Sequence, residues 1–65
     1  MMEAIKRILI ADAGEDFRRG LVDSLSGEAD IQVAGQTGDG AELVRMVSEL
    51  MPDAVVMEIV LAGLD

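Results

Sequence analysis

The chain has no cysteine, histidine, tryptophan or tyrosine, and only one proline and one phenylalanine among its 65 residues. Lack of cysteine removes the disulfide staple, and lack of any Cys/His cluster removes the structural zinc site, the usual supports of a very small fold. Positive charge is scarce: five bases stand against thirteen acids, for a net charge of −8. Phosphate-backbone binding needs a basic stripe, so direct nucleic-acid contact by this segment is excluded. Long apolar runs are missing too. Lys6 and Arg7 precede only Ile8-Leu9-Ile10-Ala11, too short for the apolar region of a secretory signal and far too short to span a bilayer. No membrane contact and a cytoplasmic location are the expectation. The glycines of Gly35-Gln36-Thr37-Gly38-Asp39-Gly40 lack the G-x-G-x-x-G spacing, and no Lys-Ser/Thr pair follows, so no nucleotide cradle is read there.

What is present is a folding composition, 51% hydrophobic and 28% charged, which excludes a disordered tail. With Phe17 alone as aromatic, the core must be aliphatic, with the five methionines filling gaps. A chain this short buries only about 60% of the surface its unfolded form exposes, so it is marginal by itself.

The pattern alternates strand and helix. Strand one is predicted over about 6–11, an apolar run ended by Asp12 and Gly14. Helix one follows over about 15–26, with Glu15 and Asp16 at its positive end, Phe17, Leu21 and Leu25 as its buried stripe, and Gly27 as its stop. Strand two is expected over about 30–34, half-exposed, with Gly35 to Gly40 as a loop. Helix two covers about 40–51, with Leu43, Val44, Val47, Leu50 and Met51 on its apolar side, and Pro52 closes it. Strand three, about 54–59, is a β-branched run read as buried on both faces. Arg18 and Arg19 read as a solvated helix face.

Right-handed crossovers then give an α/β, flavodoxin-like β-α-β-α-β half: a three-stranded parallel sheet in order 2-1-3 with helices on both faces. In that order Asp12 and Glu58 stand at the carboxyl ends of neighbouring strands and face one crevice at the switch point, where open α/β sheets bind ligands. Each has a plainer reading as well. Asp12 can bound the turn into helix one, and Glu58 can be a strand-end carboxylate bonded to nearby backbone N–H groups.

Ile8-Leu9-Ile10-Ala11-Asp12, Pro52-Asp53, and a strand ending in an acid before Leu61-Ala62-Gly63-Leu64-Asp65 together resemble a response-regulator receiver, a CheY-like domain, over its N-terminal half. The resemblance is closest to the receiver of the stage 0 sporulation master regulator, with receivers of nitrate-response-type helix-turn-helix regulators a near second. It implies a regulatory, non-enzymatic module of a two-component or phosphorelay transcription regulator. In such modules a strand-three aspartate accepts a phosphoryl group from a histidine kinase or phosphotransferase, and magnesium sits beside it. The ligands implied here are Asp12, Glu58 and the backbone carbonyl of Val60.

Two positions depart from that pattern. Ala13 stands where the second metal-binding acid is expected, and Glu58 stands at the acceptor position. Magnesium demands near-octahedral oxygen ligands at about 2.1 Å, so losing one carboxylate weakens it. Glutamate is one methylene longer than aspartate, and positional errors near 1 Å can cost about 100-fold in rate. The expectation is a receiver degenerate for phosphorylation. The alternatives are a receiver that Glu58 keeps in an active-like state, a working metal-dependent acceptor and a plain dimerisation module. The resemblance also implies that strand three is central in a complete receiver, so here its open edge is expected to recruit a second copy or to belong to a longer chain.

Overall fold

The computed structural model describes residues 4–58. They form β1 (Lys6–Ala11), α1 (Glu15–Leu25), β2 (Ile31–Thr37), α2 (Gly40–Leu50) and β3 (Ala54–Met57). The sheet is parallel throughout, in the order β2-β1-β3, and has the flavodoxin-like arrangement expected of a receiver.

β1 is the axis of the molecule. Ile8, Leu9, Ile10 and Ala11 are all buried, because a strand flanked on both edges and covered on both faces can hold consecutive apolar residues. Leu9 and Ala11 point to the α2 side and pack with Leu43, Ala34, Met46, Leu50 and Val55. Alternation sends Ile8 and Ile10 to the opposite face, where Ile10, Phe17 and Val56 share one crevice.

β2 runs three residues beyond its predicted end and absorbs Gly35, Gln36 and Thr37, which the glycine pattern assigned to a loop. The register accounts for the difference. Ile8 pairs with Val33 and Leu9 with Gly35, so Ala34 is an extra residue in a β-bulge. Gly35 marks a close approach rather than a turn: a Cβ there would lie 2.6 Å from Met46 Cε and 3.3 Å from Leu9 Cδ2.

α2 starts at an Asp39 cap whose carboxylate accepts from the Glu42 N–H at 2.9 Å. Its core stripe is Leu43, Met46 and Leu50. Val44, Val47 and Met51, predicted on the apolar side, are exposed instead. The end of α2 is tied to the start of β1. Arg7 Nη1 donates to the Leu50 carbonyl at 2.6 Å, supplying a cation to carbonyls that a helix leaves unpaired. Arg7 and Asp53 also exchange two bonds, the Arg7 N–H to Asp53 Oδ2 and the Asp53 N–H to the Arg7 carbonyl, both at 2.7 Å.

α1 contains no buried residue. Its half-buried positions are Arg18, Leu21, Val22 and Leu25, an i, i+3, i+4, i+7 stripe. Phe17 lies one step off that stripe and is 59% exposed, so its predicted place in the buried face is corrected. β3 is likewise less covered than its sequence suggests. Val55 is half-buried, but Val56 is 44% exposed and Met57 is exposed as well. Among the described residues β3 pairs only with β1. Ile59, assigned to this strand, lies outside the described residues.

Candidate functional site

The pairing of Ala11 with Met57 puts the next residue of each strand, Asp12 and Glu58, side by side at the carboxyl end of the sheet. Both are half-buried. They line one crevice with Ile10, Ala11, Phe17, Val56 and Met57, so the two acids singled out by sequence do meet. The Glu58 N–H continues the ladder by donating to the Ala11 carbonyl at 3.1 Å, and the Asp12 N–H donates to the Thr37 carbonyl at 3.0 Å.

The side chains turn back onto the β1–α1 turn. Asp12 Oδ1 accepts from the Gly14 N–H at 2.8 Å, the i to i+2 pattern of an Asx turn. Glu58 Oε1 crosses from the other strand to accept from the Ala13 N–H at 2.9 Å. The plainer readings of both acids, as backbone hydrogen-bond acceptors, therefore hold together with their shared crevice.

Among the described residues, the donors expected for magnesium are two carboxylates, Asp12 and Glu58. Ala13 brings no side-chain oxygen, and among the described residues no group of three or more His, Cys, Asp or Glu side chains is placed to hold a metal. Asp12 and Glu58 are two carboxylates, each with one oxygen already accepting a backbone proton. The third expected ligand, the Val60 carbonyl, lies outside the described residues.

Arg18, read from sequence as solvated, is a part of the site that the sequence reading missed. Its Nη1 donates to the Asp12 carbonyl, and its Nε donates to Gln36 Oε1 at 3.2 Å. Arg19 does match the solvated reading, pairing with Glu15 at 3.3 Å with both side chains exposed. The signal that distinguishes the two arginines is phase: Arg18 begins the sheet-facing stripe of α1, whereas Arg19 does not.

No family model matches the chain. It is 42% identical over 59 residues to the transcriptional regulatory protein LiaR of Bacillus subtilis (strain 168), across 91% of this chain and 28% of LiaR. It is 36% identical over 59 residues to a protein-glutamate methylesterase/protein-glutamine glutaminase of Anaeromyxobacter dehalogenans (strain 2CP-C), across 91% of this chain and 17% of that protein. Among solved structures, the signal receiver domain of the putative response regulator NarL from Mycobacterium tuberculosis superposes with a TM-score of 0.86 at 27% identity, covering 92% of this chain and 48% of that one. The fold is that of a response-regulator receiver. The chain is homologous to the receiver domains of two-component response regulators and spans under a third of the curated relatives it matches. No helix among the described residues is long and apolar enough to cross a membrane.

Proposed function

We propose that this chain is the receiver portion of a two-component or phosphorelay transcription regulator in which Glu58 occupies the phosphoacceptor position and phosphotransfer does not run. The observation that carries the reading is the Glu58 to Ala13 hydrogen bond at 2.9 Å. The carboxylate is committed to the β1–α1 turn, at a position whose expected second metal-binding acid is alanine. Its negative charge stands permanently beside the turn, where an aspartyl phosphate would bring a larger and regulated one. Magnesium has no role in this reading.

Similarity to LiaR supports a transcriptional output. The similarity to a methylesterase means that the receiver portion alone does not choose the output, and we assign this chain a non-enzymatic role. Its partners are a histidine kinase or phosphotransferase and a second copy of itself docking through the open edge of β3, in the cytoplasm. Of the two regulator types expected from sequence, the nitrate-response type remains an expectation from the motifs, as does control of sporulation.

The test is incubation of the full-length protein with acetyl phosphate and Mg²⁺, read by intact mass and peptide mapping. No adduct is expected on the native protein, whereas the double variant Ala13→Asp/Glu58→Asp is expected to gain one phosphoryl group. A phosphoryl adduct on Glu58 overturns the proposal and restores the working-acceptor alternative. Sedimentation of the same protein tests self-association, which a strict monomer at all concentrations refutes.

A further inference from the structure

We infer that Arg18 is a positioning residue for the acidic crevice, acting on Glu58 through the single peptide group that joins Asp12 to Ala13. The inference rests on the reading of the Asp12–Glu58 crevice as the regulatory site. The Asp12 carbonyl and the Ala13 N–H are opposite ends of one planar trans peptide unit. The Arg18 guanidinium donates to its oxygen, and the Glu58 carboxylate accepts from its nitrogen. A cation at the carbonyl and an anion at the N–H lie along the dipole of the same unit, so each polarises it in the sense that strengthens the other bond. The orientation of the N–H that Glu58 uses is thus set from α1 and from the end of β2, where Gln36 fixes the guanidinium through Nε.

The surroundings are shaped for this path. A Cβ on residue 38 would lie 2.9 Å from Arg18 Nη1, 3.4 Å from the Asp12 carbonyl oxygen and 3.7 Å from Ala13 Cα. Gly38 is therefore small where the guanidinium reaches the turn. Asp12 is held toward β2 by its N–H as well, through the Thr37 carbonyl. Its carbonyl is taken by Arg18 of α1, and its side chain lines the crevice while accepting from the Gly14 N–H. Ends of β1, β2 and β3 and the first turns of α1 are joined in one relay, Gln36 to Arg18 to the 12–13 peptide to Glu58.

The experiment is NMR of the protein, following the amide proton of Ala13 in Arg18→Ala, Glu58→Gln, the double variant and Arg18→Lys. Glu58→Gln is expected to move this amide upfield by weakening its acceptor, and Arg18→Ala is expected to move it the same way without touching Glu58. The double variant should shift by less than the sum of the two, and Arg18→Lys should recover part of the loss through the carbonyl contact. Gly38→Ala supplies an independent arm, displacing the guanidinium with Arg18 still present and reproducing the Arg18→Ala shift. Strictly additive shifts, or an Ala13 amide indifferent to Arg18→Ala and Gly38→Ala, overturn the relay. Should Arg18→Ala fail to fold, Gly38→Ala and Arg18→Lys decide the same question. The readout involves no phosphoryl group or metal, so a phosphoryl adduct on Glu58 would remove the degenerate-site reading and leave the relay standing.

Discussion

The two faces of the sheet are built to different standards. On the α2 side Leu9, Ala11 and Leu43 are buried, with Met46, Leu50 and Val55 packed around them, and the glycine at position 35 lets the helix approach the strand. On the α1 side the helix buries nothing completely, and Phe17 and Val56 are exposed beside fully buried Ile10. The α2 helix is thus the better packed of the two, and the acidic crevice opens on the other face, next to Phe17 and Val56. A site placed against the loosely covered face can be rearranged with little cost to the core.

The sharpest way to break this contrast is a matched pair of truncations. Leu9→Ala is expected to cost about 2–5 kcal/mol, the range for a core leucine, and Phe17→Ala less than about 1 kcal/mol, because most of the ring is already in water. Urea denaturation of both variants checks it; equal losses would mean that the α1 face is covered in solution. Next in size is Gly35→Ala, expected to cost about 1–3 kcal/mol by overpacking against Met46. Met46→Ala should relieve part of that loss, and a double-mutant cycle with no coupling would refute the close-approach account. The smallest contrast is between polar devices. Asp39→Ala should lower stability by about 1 kcal/mol through loss of the α2 cap, while Arg19→Ala should change it by less than about 0.5 kcal/mol, as an exposed i, i+4 pair does. Thermal melts resolve the two.

The strand order and the meeting of Asp12 with Glu58 were legible because they follow from topology: an apolar run ending in an acid, repeated on adjacent parallel strands. The extent of β2 was not, since Gly35 carries the same letter whether it makes a turn or admits a helix, and only the position of Met46 distinguishes them. Helix phase failed for a related reason. An arginine counts as polar in a periodicity reading, so the stripe that begins at Arg18 is hidden behind one containing Phe17. The bond from Glu58 to Ala13 could be anticipated only as a generic strand-end contact, because its partner is backbone and backbone N–H groups leave no trace in a pattern of side chains.

Of the three described strands the central one precedes its neighbours in sequence, and this orders their appearance during synthesis. Ile8 to Ala11 leave the ribosome before β2 exists, and the Arg7–Asp53 clasp that docks β3 joins residues 46 positions apart. Until those later segments arrive, the most apolar stretch of the sheet is unpaired at both edges, the condition under which nascent chains aggregate. Lys6 and Arg7, directly before it, are placed as gatekeepers during that interval, and Arg7 then passes from guarding the strand to fastening the helix that covers it.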